Sequence, residues 1–355
     1  MSKKVRVLIV DDSTFARYAI LHQLQTDAEI EVIDFARDGS EALEKINLLK
    51  PDVVTMDIEM PHMDGLTALE RTMSSCPIPI VMLSSQTGEG TEATIRALEL
   101  GAVDFFLKPS PANPAGVNLR DGELSKKVKM AARAKVSKSY NPVISRQVHT
   151  NNRKHKVSNS PPAKEVVIIG SSTGGPKALC EVIPDLPADM TAAVLVVQHM
   201  PPGFTKSLAN RLNSISQITV KEAESGDIIR QGQALLAPGG YHMVAEKGMS
   251  IGLNQNQHVC GVRPSVDVTM ESASRVFRAS SLGVVLTGMG SDGTTGTSFI
   301  KAAGGQVIAE DESTCTVWGM PKSVIEAGNA DRVLPLHLIA SEIVIMLNIN
   351  TKVTG

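Results

Sequence analysis

Short apolar runs alternate with amphipathic segments over residues 1–109. Five apolar runs predict β-strands, at 5–10, 32–36, 53–56, 80–83 and 103–107. Four segments between them have the apolar spacing of helices, at 14–25, 40–48, 66–73 and 90–100. Because strands that alternate with helices form a parallel sheet covered on both faces, we predict an α/β, flavodoxin-like domain of five strands.

The alternation stops after residue 109 and resumes near residue 164. Four apolar runs predict strands, at 166–170, 192–198, 234–238 and 283–287. Four segments predict helices, at 177–183, 201–212, 265–277 and 294–305. Residues 241–254, with Lys247 and Gly248 at their centre, predict a β-hairpin. We therefore predict a second, doubly wound α/β domain over 164–350, with a small antiparallel insertion.

Residues 110–163 differ in composition from both flanking regions. They are rich in Pro, Ser, Asn and Lys, and residues 110–156 carry 11 Lys and Arg against 2 Asp and Glu. Residues 1–109 carry 10 against 18. A basic segment between acidic domains can bind nucleic acid or an anionic membrane, but we favour a solvated linker that contacts its acidic neighbours. Apolar positions within 119–136 are compatible with one helix.

The bulk composition narrows the class of protein further. No apolar stretch approaches the roughly 20 residues of a membrane span, and the apolar run after Lys4 ends at Asp11, which does not fit a signal peptide. The four cysteines form no C-x-x-C, which argues against a disulfide frame or structural zinc. Aromatic residues make up only 3% of the chain, so base stacking is not expected. We predict a cytoplasmic protein without nucleic-acid binding or membrane insertion.

Chemically distinctive residues follow four of the predicted strands in the first domain. The first strand ends at Asp11 and Asp12, the third at Asp57, the fourth at Ser84 and the fifth at Lys108. Because the carboxyl ends of parallel strands meet at one edge of the sheet, these side chains should converge. Neighbouring carboxylates repel each other and need a cation, and oxygen ligands suit Mg²⁺, which also bridges phosphate. We interpret Asp57 as a nucleophile toward a phosphoryl group that Ser84 and Lys108 help to bind.

The first domain resembles the receiver domains of bacterial two-component response regulators, through the motifs VLIVDDS, VVTMDIEMPHMDG, VMLSS and DFFLKP. The resemblance implies phosphorylation of Asp57 by a kinase. It also implies Mg²⁺ bound by Asp12, Asp57 and the backbone carbonyl of Glu59, with Asp11 assisting. Phe105 occupies the aromatic switch position of the family, three residues before Lys108; a core phenylalanine is the alternative, and one residue can have both roles.

The first strand of the second domain runs into the turn GSSTGG. Residues 170–174 match G-x-S-x-G, in which glycines allow a tight strand-to-helix turn that exposes a serine hydroxyl. The motif selects Ser172 over Ser171 as nucleophile. A plain turn or an anion-binding helix start would explain the same residues, so the motif does not decide the chemistry alone.

A serine nucleophile needs a base, and the base needs an orienting carboxylate. His199 follows the second strand and Asp292 the fourth, so both are expected at the same edge of the sheet as Ser172. A strand-end histidine is otherwise often a satisfied loop residue. The other candidate histidines have less defined settings: His242, His258 and His337. The order Ser, His, Asp differs from that of the α/β-hydrolases and favours a triad on a different sheet.

The segment GMGSDG also fits the dinucleotide pattern G-x-G-x-x-G, at residues 288–293. However, Asp292 would place a carboxylate where a pyrophosphate binds, and the segment lies late in its domain. We favour a turn whose backbone N–H groups stabilise an oxyanion.

The second domain resembles the catalytic domain of chemotaxis-specific protein-glutamate methylesterases, through GSSTGG, QHMPPGFTKSLANRL, APGGYHM, RPSVDV, VVLTGMGSDG and EDESTCTVWGMPKSV. The resemblance implies cofactor-free hydrolysis of γ-glutamyl methyl esters, and often deamidation of glutamines, on chemoreceptor cytoplasmic domains. It assigns Ser172 as nucleophile, His199 as base and Asp292 as orienter. It further assigns the backbone N–H of Met289 as oxyanion donor and Thr173 as a supporting residue. A chemotaxis histidine kinase would phosphorylate the receiver and so activate the hydrolase.

Two rival functions differ in class or in pathway. A response regulator with a DNA-binding output domain would need a basic recognition helix, whereas residues 157–355 carry 14 Lys and Arg against 17 Asp and Glu. A methylesterase for receptors that govern another output, such as surface motility or gene expression, would have the same triad.

Overall fold

The structure is a computed structural model that describes residues 3–85, 88–108, 122–136 and 160–353, without the side chains of residues 348–353. The chain divides into two compact units, within residues 1–145 and 146–355. Each unit has its own parallel β-sheet and its own cluster of buried apolar residues.

The first unit contains a five-stranded parallel sheet with the order β2-β1-β3-β4-β5. Its strands are β1 (Val5–Val10), β2 (Ile30–Ala36), β3 (Val53–Asp57), β4 (Ile80–Ser84) and β5 (Asp104–Leu107). Its helices are α1 (Thr14–Gln25), α2 (Gly39–Leu49), α3 (Gly65–Ser75), α4 (Gly88–Glu99) and α5 (Glu123–Ala131). This is the strand order of flavodoxin-like folds, and it confirms the predicted fold class.

Side-chain caps fix where the first three helices begin. Ser13, Asp38 and Asp64 directly precede α1, α2 and α3, and each accepts a backbone N–H from the first helical turn. Such caps satisfy donors that have no partner inside the helix. The helix starts are therefore set by short loops at the carboxyl ends of β1, β2 and β3, where the acidic residues lie.

Helix α5 belongs to the core of the first unit. Leu124, Val128 and Ala131 are buried in one apolar cluster with Val7 of β1. The sequence analysis assigned this segment to the linker at 110–163, and the structure corrects that assignment for α5. The prediction failed because lysines on three of the nine helical positions made the segment look solvated.

Two of the three lysines of α5 pair with acidic residues of the same unit. Lys127 Nζ lies 2.9 Å from Asp104 Oδ2, and Lys129 Nζ lies 2.7 Å from Asp27 Oδ2. Long lysine stems can cover apolar surface while the ammonium reaches a charged partner. Part of the basic charge assigned to the linker therefore faces the acidic first unit.

The second unit contains a seven-stranded parallel sheet with the order β14-β13-β12-β6-β7-β9-β8, and a separate antiparallel pair, β10 and β11. The sheet strands are β6 (Val166–Ser171), β7 (Ala193–Gln198), β8 (Thr219–Glu222), β9 (Gln233–Leu236), β12 (Ser281–Val285), β13 (Gln306–Glu310) and β14 (Arg332–Leu334). The hairpin strands are β10 (His242–Glu246) and β11 (Ser250–Asn254). The predicted hairpin and the doubly wound sheet are confirmed.

Within residues 160–353, the helices that accompany this sheet are α6 (Gly175–Val182), α7 (Phe204–Ile215), α8 (Val266–Phe277), α9 (Thr294–Ala302), α10 (Met320–Glu326) and α11 (Leu336–Val353). The central strands β6, β7 and β12 are fully buried, so their residues are almost continuously apolar. The sequence analysis did not predict β8, β13, β14, α10 or α11. Three of these are short strands toward the edges of the sheet, where polar residues interrupt the apolar pattern.

Among the described residues, no helix combines the length and the apolar character that crossing a bilayer requires.

The packing of α5 predicts that Leu124→Ala destabilises the first unit. The leucine side chain is buried in the cluster, and a leucine-to-alanine change in a core costs about 2–5 kcal/mol. Urea unfolding of the full chain, followed by a spectroscopic signal from the first unit, measures the loss in free energy of unfolding. Lys126→Ala on the exposed face of the same helix is the control and should have little effect. Equal stability of the two variants would show that α5 does not belong to this core.

Candidate active site and phosphoacceptor pocket

The carboxyl ends of β1, β3 and β5 bring the predicted acidic and basic residues together. Lys108 Nζ lies 2.7 Å from Asp11 Oδ2 and 2.5 Å from Asp57 Oδ2. One carboxylate oxygen each of Asp11, Asp12 and Asp57 lie within 4.8 Å of one another. Next to them is a cavity of about 580 Å³, lined in part by Asp12, Asp57, Glu59 and Lys108. The arrangement combines a carboxylate cluster with one compensating cation.

Asp57 carries an electrostatic cost in this pocket. Burial raises its pKa to about 6, and the Lys108 ammonium offsets only part of that effect, while the Asp11 carboxylate adds to it. The other oxygen of Asp57 accepts the N–H of Ile58 at 2.8 Å. A divalent cation between these carboxylates would relieve their repulsion, so the donor set fits Mg²⁺.

Ser84 precedes Ser85, which lines this pocket, and Phe105 lies on β5, but both side chains are held by other contacts. Ser84 Oγ lies 2.6 Å from Thr94 Oγ1 of α4 and donates to the carbonyl of Ser85 at 3.0 Å. Phe105 is buried, with Lys127 Nζ 5.7 Å from its ring centroid. The Ser84 hydroxyl is thus engaged with α4, although the sequence analysis placed it in the pocket to bind an anion.

In the second unit, β6 ends in a turn that needs glycine at two positions. Gly174 has φ of +79°, and a Cβ there would lie 2.5 Å from the side chain of Thr316. A Cβ on Gly175 would lie 2.0 Å from Gln198 Oε1. The backbone therefore passes too close to its neighbours for any larger residue. This turn presents Ser172 between β6 and α6.

The two serines of the turn have different environments. Ser171 is fully buried and donates to Gln198 Oε1 at 2.7 Å. Gln198 Nε2 in turn donates to the carbonyls of Ser172 and His199, at 2.9 and 3.2 Å. Ser172 is partly exposed, and its hydroxyl has no hydrogen-bond partner within the described part of the chain. Of the two serines in this turn, Ser172 is therefore the one whose hydroxyl is uncommitted among the described residues.

His199 reaches the same edge from β7. The sheet register pairs Ser171 with Gln198, so the two residues that follow, Ser172 and His199, leave adjacent strand ends. The backbone N–H of His199 donates to the carbonyl of Ser171 at 3.2 Å. His199 Nε2 lies 2.8 Å from Asp292 Oδ2. The structure therefore joins His199 to Asp292 directly and places the Ser172 backbone next to His199.

Asp292 is 2% exposed and accepts hydrogen bonds from both sides. Besides His199, the N–H of Val266 reaches Oδ2 at 2.7 Å. The hydroxyl of Ser265 and the N–H of Asp267 reach Oδ1 at 2.8 and 3.0 Å. All these partners are donors when Nε2 carries the imidazole proton, so the site is built for a carboxylate anion.

The pKa of Asp292 is accordingly low. Burial alone would raise its pKa, but the hydrogen bond and charge of His199 and the backbone N–H groups of Asp267 and Val266 lower it below the ordinary value. An ionised Asp292 accepts from His199, so Nε2 carries the proton and Nδ1 is left as the basic nitrogen. The carboxylate thus selects the tautomer that a general base requires.

The peptide between Gly288 and Met289 has a fixed direction. The carbonyl of Gly288 accepts the N–H groups of Gly319 and Met320, at 3.0 and 2.8 Å. In a trans peptide the N–H of Met289 points the opposite way, and it has no acceptor among the described residues. A Cβ on Gly288 would lie 2.8 Å from Ser172 Cβ. An unpaired N–H therefore lies in the loop that touches the serine turn.

Thr287 ties this loop to the serine turn. Its carbonyl accepts the N–H of Ser172 at 3.0 Å, and its hydroxyl donates to the carbonyl of Thr173 at 3.0 Å. Its own N–H donates to the buried carboxylate of Glu310 at 2.7 Å. Burial raises the pKa of Glu310 to about 7. Thr173 is therefore held at the turn through its backbone.

The alternative interpretations fare differently in the structure. His242 is buried, and its Nε2 lies 3.0 Å from the carbonyl of Gln257. These contacts indicate a structural role for His242. For the dinucleotide pattern, the N–H groups of Gly293 and Gly296 at the start of α9 already donate to Asp267 Oδ1, at 2.8 and 2.7 Å. A pyrophosphate would have to displace that carboxylate.

Several residues of this site were missed by the sequence analysis: Gln198, Ser265, Asp267, Thr287 and Glu310. Each acts through contacts between segments that are distant in the chain. A partial signal exists for Gln198, a polar residue that ends an otherwise apolar strand directly before His199. Asp267, in the first turn of a helix, looks like an ordinary helix-start acid.

Comparisons with known proteins cover both units. A sequence model of the CheB methylesterase family matches residues 167–343, and one of the response regulator receiver domain matches residues 7–114. A Symbiobacterium thermophilum protein named protein-glutamate methylesterase/protein-glutamine glutaminase is 50% identical over 351 residues, 97% of each chain. A protein of that name from Archaeoglobus fulgidus is 49% identical, over 97% of this chain and 99% of its own.

A solved structure matches the second unit. The crystal structure of the Thermotoga maritima CheB methylesterase catalytic domain is 49% identical, with a TM-score of 0.49, and the match covers 50% of this chain and 96% of that one. From the full-length identity to the two relatives above, the chain belongs to the CheB methylesterase family and carries a response regulator receiver domain ahead of its methylesterase domain.

Proposed function

We propose that this methylesterase removes methyl groups from γ-glutamyl methyl esters of chemoreceptor cytoplasmic domains, with Ser172 as nucleophile, His199 as base and Asp292 as the residue that orients the base. The observation that carries the proposal is the hydrogen bond of 2.8 Å between His199 Nε2 and the buried Asp292. It supplies a fixed tautomer beside the one uncommitted serine hydroxyl of the turn. The glutamate methyl ester follows the names of the relatives, and chemoreceptors as the proteins that carry it follow the resemblance of the sequence motifs.

The reaction begins with attack of Ser172 Oγ on the ester carbonyl. His199 Nδ1 takes the hydroxyl proton as the new C–O bond forms, and Asp292 stabilises the resulting imidazolium. The carbonyl oxygen becomes an oxyanion, to which the N–H of Met289 donates. Thr173, next in the chain to the nucleophile, supports the turn that presents it.

The second half of the reaction releases the glutamate side chain. When the tetrahedral intermediate collapses, His199 gives its proton to the leaving methanol and an acyl-enzyme remains. A water molecule, deprotonated by His199, then attacks the acyl carbon. As the C–O bond to Ser172 breaks, His199 returns the proton to Ser172 Oγ. With a glutamine substrate the leaving group is ammonia. The proposed reaction uses side chains, one backbone N–H and water, without a cofactor.

The receiver pocket supplies the control. In the proposal, a chemotaxis histidine kinase transfers a phosphoryl group to an Asp57 oxygen. Asp12, Asp57 and the carbonyl of Glu59 would hold Mg²⁺, with Asp11 assisting. Bound Mg²⁺ neutralises charge on the phosphoryl oxygens. Lys108, already paired with Asp57, remains to bind the transferred group, and phosphorylation raises esterase activity. Both partners place the protein in the cytoplasm.

For Ser172→Ala we expect methanol release to fall by at least about 10³-fold, since loss of the nucleophile removes the covalent route. Initial rates with radiolabelled, methylated receptors measure this effect. Ser171→Ala is the matched control: it leaves Gln198 Oε1 without its partner at 2.7 Å and costs about 1–3 kcal/mol of stability, but it keeps the nucleophile. A fully active Ser172→Ala would refute the triad.

Asp292→Asn should lower kcat by about 10⁴-fold, by analogy with the same change in a serine protease. The asparagine NH₂ would face a donor on whichever side it occupies, because His199, Val266, Ser265 and Asp267 all donate to this residue. Circular dichroism checks that the variant is folded. A folded variant within tenfold of the wild-type kcat would contradict the assigned role.

Asp57→Asn should retain basal esterase activity and show no activation by a small phosphodonor. In the wild type, the pKa of Asp57 near 6 without a divalent cation means that protonation removes the nucleophilic carboxylate as pH falls below that value. Phosphorylation measured without Mg²⁺ should therefore decline from pH 7 to pH 5, and added Mg²⁺ should raise it at every pH. Activation of Asp57→Asn by the phosphodonor would show that the control lies elsewhere.

A further inference from the structure

Two buried aspartates join α8 and α9 crosswise. Asp292, in the loop before α9, accepts the N–H groups of Val266 and Asp267 in the first turn of α8, at 2.7 and 3.0 Å. Asp267, in that first turn, accepts the N–H groups of Gly293 and Gly296 at the start of α9, at 2.8 and 2.7 Å. Asp292 thus caps the start of α8, the helix that carries Asp267. Asp267 in turn caps the start of α9, the helix that directly follows Asp292.

The crossing leaves little freedom for either helix. A Cβ on Gly296 would lie 2.9 Å from Asp267 Cα and 2.8 Å from Met270 Cβ, so the two helices are in backbone contact at this point. Asp292 and the N-cap of α9, Gly293, are consecutive residues. A shift of the α9 start would therefore move the carboxylate that holds His199.

Asp267 takes no part in the proposed proton transfers, and its carboxylate has no direct contact with His199 among the described residues. It is 7% exposed, and Cys260 Sγ lies 3.8 Å from its second oxygen. Burial and repulsion from Asp292 raise the pKa of Asp267 against the lowering effect of the Gly296 and Gly293 N–H groups. A second buried carboxylate beside Asp292 is electrostatically unfavourable. The hydrogen bonds from Gly293 and Gly296 compensate for part of this effect.

We propose that Asp267 is a positioning residue for ester hydrolysis, which fixes the His199–Asp292 pair by holding the start of α9. The inference rests on the proposed triad. Asp267 would then do more than stabilise a helix end. Loss of its two hydrogen bonds to Gly293 and Gly296, here called the clamp, would displace the base that takes the proton from Ser172. A displacement of about 1 Å in such a group can cost about 10²-fold in rate.

The test is steady-state kinetics of the full chain with methylated receptors, measured as methanol release over a range of receptor concentrations. Asp267→Ala should lower kcat by at least about 10-fold with KM within about twofold, the pattern expected when only the transition state is affected. Asp267→Asn keeps an oxygen that can accept from Gly293 and Gly296, and it should restore kcat to within about threefold of wild type. Each variant is first checked for a cooperative thermal transition.

Asp331→Ala is the matched control. Asp331 also accepts a backbone N–H, that of Val307 at 2.8 Å, but at the amino end of β13, opposite the strand ends that carry the site. It should lower the melting temperature and leave kcat unchanged. If Asp267→Ala does not fold, Asp267→Ser takes its place. The serine side chain is too short for its hydroxyl to accept both the Gly293 and the Gly296 N–H groups. A reduced kcat at constant KM in that variant supports the clamp.

Wild-type kcat in folded Asp267→Ala or Asp267→Ser overturns the inference. So does an Asp267→Asn variant as impaired as Asp267→Ala, because the negative charge and not the clamp would then matter. These outcomes differ from failure of the proposed function. If Ser172→Ala stays active, the triad itself is wrong. If Ser172→Ala is inactive and Asp267→Ala is fully active, only the positioning role fails.

Discussion

The methylesterase domain depends on one buried anion. Asp292 lies in the loop between β12 and α9 and is 2% exposed, so an unpaired carboxylate there would be strongly unfavourable. Its four donors come from two separate stretches of chain: His199 after β7, and residues 265–267, which supply the Ser265 hydroxyl and the first N–H groups of α8. Satisfying this anion therefore fixes the relative positions of β7, α8 and the loop after β12. The same bonds define the basic nitrogen of His199.

Both domains place carboxylates at the carboxyl ends of parallel strands, but with opposite electrostatics. Asp292 accepts hydrogen bonds from four donors, which favour its ionised form, and its pKa is lowered. Asp57 has one ammonium shared with Asp11, and its pKa is raised to about 6. The first arrangement is complete without a ligand and suits a residue that must keep one charge state. The second is deficient in positive charge and suits a site that gains a cation and a phosphoryl group.

The sequence predicts the parts of this protein that local rules govern. Apolar periodicity located the central strands, and strand-end position placed Asp57, His199 and Asp292 at the correct edges. It failed where tertiary contacts override local pattern: α5 is lysine-rich yet packs Leu124 into a core. It also did not identify Asp267, since the crosswise caps link residues 25 and more positions apart. Reciprocal hydrogen bonds of this kind produce no periodic pattern in the sequence.

The contact between Ser84 and Thr94 has a consequence for the energetics of switching. With Ser84 Oγ engaged to α4 at 2.6 Å, the hydroxyl must leave one partner before it can take the proposed role of binding a phosphoryl oxygen. A buried hydrogen bond contributes roughly 0.5–1.5 kcal/mol, which corresponds to about a 2- to 12-fold preference for the resting rotamer. The contacts of Ser84 with Thr94 Oγ1 and with the carbonyl of Ser85 thus set a threshold for the proposed switch, because a phosphoryl oxygen would have to compete with them for the Ser84 hydroxyl.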